Sequence, residues 1–514
     1  MTMNAFVLAL LMLTLRAKVY GVPSATAPLA WLEPRSIIPC ADKGGGYLVV
    51  GRYVYDPSNP SSDQGDIFML RLDTSLNVLW LKTVGIYPSR EVGLQAIQLT
   101  EADSGYFVCG SSLSGGTAHP IYIRTNPQGD VLWSREYPSF WISERPTLMW
   151  REPGTSNVVI AGARSIGFQW YAALLWLDMT TGNPIVEHDY AAPNVHLLGV
   201  SIAHAPQSGE IYMSGVYSDN VYQNSVFLAR FTRTGEPTWA IACTTTLSLD
   251  PVSIRALNDT TFYVLVNRGS VPSDAQIWKF RNSTPLWYQG FLSFTGNEAY
   301  LFSNGNLIVC GNGPDQMRHA WIALGPVGGF TWSGYYADFY SVNTEYAMCE
   351  SPQGVLTSVG ASNSVGIGDL DCSVIQIPAN NGHYPDCIIP EGFSTSSPVY
   401  AWINLGLTDL SSSYPYTALT LQSVQITPQV DSLCRSLYEE TQETGRPPRP
   451  SVQALCSSEG IVFLSAEDTD IAIYRPNGAL AYRGELKCGR QTITLGQGVY
   501  LWRAGGCAGK AIVR

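Results

Sequence analysis

The 514-residue chain is short of charge: Asp, Glu, Lys and Arg make up 14% of it, against about a quarter of an ordinary soluble domain. What charge there is sums to −11. No long basic run occurs, so the electrostatic footprint of a nucleic-acid binder is missing. The histidines, at 119, 188, 196, 204, 319 and 383, form no HxH or HExxH pair, so the close spacing of a histidine metal site is absent. There is no CxxC for a zinc ribbon or a thioredoxin-type centre. A glycine-rich loop followed by Lys-Ser/Thr and a Gly-x-Ser-x-Gly elbow are absent as well. Asp369 and Asp371 are hard oxygen donors of the kind calcium takes, but two carboxylates do not make a site. Glu439 and Glu440 sit in a polar, proline-rich stretch and read as solvated charge. The reading therefore expects no catalytic residue, no cofactor and no metal.

What remains is apolar, aromatic and rich in turn residues. Hydrophobic residues reach 45% and aromatics 11%, with 48 Gly, 32 Pro, 28 Tyr and 14 Trp, a composition that favours strands and turns. Only Ala5–Leu15 forms a longer apolar run, well short of the ~20 residues that span a bilayer. Met1–Gly21 matches a secretory signal peptide, which predicts a secreted or cell-surface protein. Of the 11 cysteines, Cys109 and Cys310 lie inside apolar strand motifs and suit buried thiols. The later ones are better candidates for disulfides in an oxidising compartment.

A short apolar strand ending in a small residue recurs seven times, at intervals of roughly 50 residues. The copies are 46–51, 105–110, 158–162, 211–215, 262–266, 307–311 and 355–360. A second strand follows each after a polar loop, as in 67–73, 172–178 and 226–231. A tight turn and an aromatic then open a third strand, as in 77–80, 129–133 and 235–239. Trp80, Trp133, Trp239, Trp287 and Trp332 hold this slot. The third copy has Ile185 or Val186 near it, and the seventh has no tryptophan. Short strands separated by turns build antiparallel meanders. One such unit cannot bury both faces, whereas a ring of them can. The tryptophans would then pack between neighbouring units. The expectation is an all-β, seven-bladed β-propeller over 30–388.

The rhythm of strand, Leu-Asp, glycine turn and tryptophan resembles the propellers of surface proteins exported by the bacterial type IX secretion route. It is also similar to quinoprotein propellers, although the adjacent cysteines that resemblance would imply are absent. Sialidase-like turns would read Ser-x-Asp-x-Gly, whereas Asp73 and Asp178 here precede the turn.

After Cys387 the rhythm stops, and 389–454 reads as a linker, with alternation at 416–426 allowing a strand or two. Residues 455–514 become regular again and predict a small β-sandwich. Asn477-Gly478 signals a hairpin between 471–474 and 479–482. A second hairpin is expected between 491–495 and 499–503. Its register would set Cys488 one residue from Cys507, close enough for a disulfide if Gly505 and Gly506 absorb the slack. The Asn477-Gly478 turn, Gly498-Val499-Tyr500 and the final strand from Lys510 resemble the type A C-terminal sorting domain of type IX cargo. That resemblance implies the secretion machinery as a partner. The functional expectation is a non-enzymatic binding, adhesive or structural role toward a glycan or protein ligand, with self-association open. A glycan hydrolase or lyase and a filament subunit are the alternatives.

Overall fold

The computed structural model describes residues 17–21, 31–41, 45–54, 65–85, 90–99, 105–114, 117–138, 140–142, 148–166, 168–219, 224–245, 247–269, 274–313, 319–336, 343–352, 354–362 and 371–378. It further describes 388–390, 395–396, 401–411, 417–419, 422–426 and 429–432, then 452–457, 460–465, 468–475, 480–487, 489–495, 498–504 and 507–513. Every regular element among them is a strand, and the strands form many small sheets. The chain divides into two compact units, Met1–Cys434 and Arg435–Arg514.

The larger unit is a succession of antiparallel four-stranded meanders, numbered here along the chain. Meander 1 covers 31–85, meander 2 90–136, meander 3 149–191, meander 4 196–244, meander 5 249–291 and meander 6 295–336. Meander 7 takes three strands from 343–378, and its fourth, Ala17–Gly21, comes from the start of the chain. Meanders 1 and 2 are joined into one ten-stranded sheet through a single parallel pair, Gly65 with Arg90; the others stand in separate sheets.

The recurrent apolar motif is the second strand of each meander, and its terminal glycine has a specific cause. The first strand carries a bulge at nearly the same place in six meanders: Pro34/Ser36, Gly93/Gln95, Gly199/Ser201, Pro251/Ser253, Gly296/Glu298 and Glu345/Ala347. A bulge turns a carbonyl out of the ladder. In meander 1 a Cβ on Gly51 would lie 2.1 Å from the Glu33 carbonyl oxygen, and in meander 6 one on Gly311 would lie 1.9 Å from that of Thr295. The glycine therefore makes room for the bulge opposite. In meander 5 Val266 stands there instead, fully buried.

Two expectations change at the margins of this unit. Segment 389–454 is not simply a linker. Between 388 and 432 it supplies seven short strands, Ile388–Pro390, Thr395–Ser396, Ala401–Asn404, Thr408–Ser411, Thr417–Leu419, Gln422–Ile426 and Gln429–Ser432. They add antiparallel to the outer strands of meanders 6, 5, 4, 3, 2, 1 and 7, in that order. This belt thus runs back along the succession, one strand per meander. The second change concerns residues assigned to the leader. Ala17–Gly21 lies between Asp371–Pro378 and the last belt strand, and Tyr20 is fully buried. A leader that leaves this strand in place must end before it.

In Arg435–Arg514, strands Val452–Ser457, Gly460–Ser465 and Gly489–Thr494 form one sheet. Strands Thr469–Tyr474, Leu480–Leu486, Gly498–Ala504 and Cys507–Val513 form another. Ile461, Phe463 and Ile493 from the first meet Ile471, Ile473, Leu486, Tyr500, Trp502 and Ala504 from the second in one apolar cluster. Residues 471–474 do pair with 480–484, but Asn477 and Gly478 lie outside the described residues. The expected 491–503 hairpin is corrected: 489–494 pairs with 460–465, and 498–504 pairs with 469–474 and 507–513. Alternation reveals which face of a strand is buried, not which strand lies beside it, and both strands turn apolar side chains into the same core from different sheets. The register behind the Cys488–Cys507 bridge is therefore absent. Cys488 lies outside the described residues.

Candidate functional site

The aromatic slots join one meander to the next. A Cβ on Gly129, in the last turn of meander 2, would lie 2.8 Å from the Trp80 ring of meander 1. Gly182 of meander 3 stands in the same relation to Trp133, at 2.6 Å, and Gly328 of meander 6 to Trp287, at 2.8 Å. All three glycines have φ between +72° and +85°, a conformation that L side chains rarely adopt. Turn glycine and tryptophan in the sequence rhythm are thus two halves of one contact, made in successive meanders. The Trp133 Nε1–H also donates to the Thr180 carbonyl at 2.7 Å. Trp239 meets Phe262 of meander 5, with ring centroids 6.1 Å apart. In meander 3 the glycine contact is made by His188, against Gly235, not by Ile185 or Val186. Trp332 holds the expected register opposite Ala323, and its side chain lies outside the described ones.

Tyrosines repeat the same link in polar form. Tyr137 donates to the Gly182 carbonyl at 3.1 Å and Tyr190 to that of Gly235 at 2.7 Å. Tyr20, on the strand from the chain start, donates to the Leu76 carbonyl at 2.7 Å. It therefore ties meander 7 to the last turn of meander 1 in the way that Tyr190 ties meander 3 to meander 4.

The residue following the bulge forms another set of links in meanders 2, 4, 5 and 6. Gln95 Oε1 accepts from the Leu148 and Met149 N–H groups at 2.8 and 2.9 Å. Ser201 Oγ accepts from Ile254 N–H and Ser253 Oγ from Ala299 N–H, each at 3.1 Å. Glu298 Oε2 accepts from Met348 N–H at 2.7 Å. Each is a side chain on the first strand of one meander reaching the backbone of the next. Arg255 adds an ion pair to Glu298 at 2.5 Å.

Charge concentrates where meander 7 meets meander 1. The Glu33 carboxylate receives Arg35 at 2.7 Å, Arg52 at 2.9 Å and the Tyr346 hydroxyl at 3.3 Å. Arg35 lies 4.7 Å above the Tyr346 ring. Burial pushes the Glu33 carboxyl up, but the charges of Arg35 and Arg52 outweigh that and hold it below its ordinary value. Burial, with the charge of Glu33 added, raises Tyr346 to about 12. At neutral pH the cluster is a fixed ion pair, with neither a base to take a proton nor an acid poised to give one.

His196 and His204 are engaged in packing. His196 Nδ1 accepts from Trp170 N–H at 3.2 Å. His204 stacks on Trp150 at 4.4 Å, and burial lowers its pKa. Cys40, Cys109, Cys243, Cys310, Cys349 and Cys372 are free and buried, so the disulfides expected of an exported chain do not involve them. Tyr500 is buried in its unit's core. Gly498, Val499, Lys510 and Cys507 lie on the last two strands. Among the described residues, no group of three His, Cys, Asp or Glu side chains is placed to hold a metal ion.

No family model matches the chain, and no curated protein does either. Among solved structures, the chain is similar to a protein of unknown function from Dyadobacter fermentans (10% identity, TM-score 0.40, covering 69% of this chain and 98% of that one). It is also similar to a mutant form of the NanB sialidase from Streptococcus pneumoniae (8% identity, TM-score 0.37, 69% of each chain). A complex of that sialidase with 2-[(3-chlorobenzyl)ammonio]ethanesulfonate gives 9% identity and TM-score 0.37 over 70% of each chain.

Proposed function

We propose that the chain is an exported seven-bladed β-propeller, followed by a small β-sandwich, with a non-enzymatic binding, adhesive or structural role outside the cell. The links from Tyr20 to Leu76 and from Tyr346 to Glu33 support a ring in which meander 7 meets meander 1. The observation that carries the functional reading is how the polar groups of the first strands are used. Gln95, Ser201, Ser253, Glu298 and Glu33 all serve bonds between successive meanders. An acid or base committed to such a bond is not available for proton transfer.

The C-terminal unit has its own core and is proposed as the sorting or anchoring piece, delivered by type IX machinery. Deleting 435–514 should leave the propeller folded and abolish surface delivery. The functional test incubates the purified full chain with a panel of extracellular polysaccharides, scoring both retention and release of reducing ends. Retention without cleavage is the expected result. Cleavage that co-purifies with the chain at constant specific activity would replace this reading with that of a glycan hydrolase.

A further inference from the structure

The hairpin between the second and third strands of meander 3 ends in an apolar tip. Asn157–Ile166 and Gln169–Asp178 pair without a break as far as Ile166 and Gln169, leaving only Gly167 and Phe168 between them. Phe168 is 99% exposed and Ile166 46%; Gly167 lies outside the described residues. Meander 2 joins the same two strands through Gly115 and Gly116, between Ser114 and Thr117. A two-residue hairpin at this place in the repeat therefore needs no large apolar residue. Single exposed apolar residues are ordinary, but two at one tip above a pair of tryptophans form a patch of the kind that marks an interaction site.

Behind the tip the hairpin is held at several points, and its larger polar groups serve that purpose. Gln169 Nε2 donates to the Val195 carbonyl at 3.0 Å, and Trp170 N–H donates to His196 Nδ1 at 3.2 Å. Arg164 pairs with the buried Asp189 at 3.2 Å, and the Tyr171 hydroxyl donates to Gln169 Oε1 at 3.4 Å. Trp141 and Ala163 exchange both backbone hydrogen bonds, at 2.7 and 2.8 Å. The Trp141 ring meets that of Trp170 at 6.0 Å, edge to face. Trp141, Trp170 and Tyr171 are half-buried. A sugar stacked here would find these donors and acceptors already engaged, whereas an apolar phase needs none of them.

We infer that this hairpin is a membrane-contact loop whose ligand is the interface of a lipid bilayer with uncharged headgroups. The order of residues behind the tip fits the chemistry of that interface. At ~3.3 Å per strand residue, Trp170 lies ~7 Å and Tyr171 ~10 Å behind Phe168. An interfacial segment buries its apolar face by ~5–10 Å, and Trp and Tyr settle at headgroup level. Phe168 and Ile166 thus reach the acyl boundary while the rings behind them stay among the headgroups. The chain carries a net charge of −11, and Arg164, the cation of the hairpin, is paired with Asp189. Attraction to anionic lipid therefore contributes nothing, and the contact is weak for a single loop and insensitive to salt. This site is separate from the ligand-binding role proposed above and does not depend on the route of export.

The test is co-sedimentation of the purified full chain with sucrose-loaded phosphatidylcholine vesicles, with lipid raised into the millimolar range. Wild type should enter the pellet, equally at low and high salt. Phe168→Ser should lower the partition coefficient about tenfold, the share of one buried phenylalanine, and Phe168→Trp should preserve it. Val327→Ser removes another apolar side chain, 86% exposed in the last turn of meander 6, and should leave binding unchanged. Circular dichroism checks that each variant keeps the wild-type fold. Absence of wild-type binding, no loss in Phe168→Ser, or an equal loss in Val327→Ser would overturn the proposal. So would self-association without lipid, or retention on a polysaccharide, that depends on Phe168, since either means a different occupant.

Discussion

If the tryptophans act as clamps on neighbouring turn glycines, Gly182→Ala should cost much more than Gly154→Ala. The two positions share nearly the same backbone, with φ of +72° and +75°, so both substitutions pay the left-handed penalty of ~1–2 kcal/mol. Their surroundings differ. A Cβ on Gly154 meets nothing within 4 Å, whereas one on Gly182 lands 2.6, 2.8 and 3.0 Å from three atoms of the Trp133 ring. The ring is also tethered through Nε1 to the Thr180 carbonyl, so it cannot retreat without losing a hydrogen bond worth ~1 kcal/mol. Forcing extra volume into such a contact costs ~1–3 kcal/mol. Gly182→Ala should therefore be destabilising by roughly 2–5 kcal/mol, and Gly154→Ala by the backbone share alone. Urea unfolding of the full chain, followed by circular dichroism, reads the difference. A cycle with Trp133→Leu separates the contact from the backbone, because Gly182→Ala should cost at least ~1 kcal/mol less once the large ring is gone. Equal costs at the two glycines, or strict additivity in the cycle, would refute the clamp.

Glu33 makes stability depend on pH in a defined direction. Its carboxyl is held low in the folded chain, so its contribution is complete above the ordinary glutamate pKa of about 4.3 and is lost as pH falls through the lowered folded value. Wild type should lose stability more steeply than Glu33→Gln across that acid window, and parallel curves would contradict the ion-pair reading. A chain beginning at Val22 lacks Ala17–Gly21 and the Tyr20 link, so it should unfold at lower urea than one beginning at Ala17. Equal midpoints would mean that this strand closes nothing. The buried thiols of Cys40, Cys109, Cys243, Cys310, Cys349 and Cys372 should resist Ellman's reagent at pH 8 until the chain is unfolded. Burial raises Cys243 to about 12 and Cys109 further, and rapid native labelling of either would count against it.

The meanders could be read from sequence because apolar second strands, turn glycines and aromatic openers recur at a fixed interval. Cys109 and Cys310 were legible as buried thiols for the same reason: they sit inside those strands. The meaning of the recurring glycine was not legible, since a neighbouring bulge leaves no mark on the strand opposite it. His188 was missed because the contact moved two residues along the strand, away from the slot that aromatic spacing picks out. Of the belt, alternation at 416–426 foreshadowed only Thr417–Leu419 and Gln422–Ile426; the other strands, two to four residues long at a sheet edge, need little hydrophobic alternation. Ala17–Gly21 was hidden by adjoining the apolar run of the leader. At the other end, alternation in 491–503 marked the buried faces but left the partners open, so a crossing between sheets looked like a hairpin. The charged cluster at Glu33 draws on residues more than three hundred positions apart, which no local motif announces.

The central claim is a closed ring of seven units, sealed by the strand from the chain start and girdled by the belt. A crystal structure of the full chain tests it most directly. The account predicts seven five-stranded blades, with Ala17–Gly21 between Asp371–Pro378 and Gln429–Ser432, and Tyr20 bonded to Leu76 of the first blade. A ring of six or eight blades, or an open array in which Tyr20 and Leu76 stand apart, would contradict it.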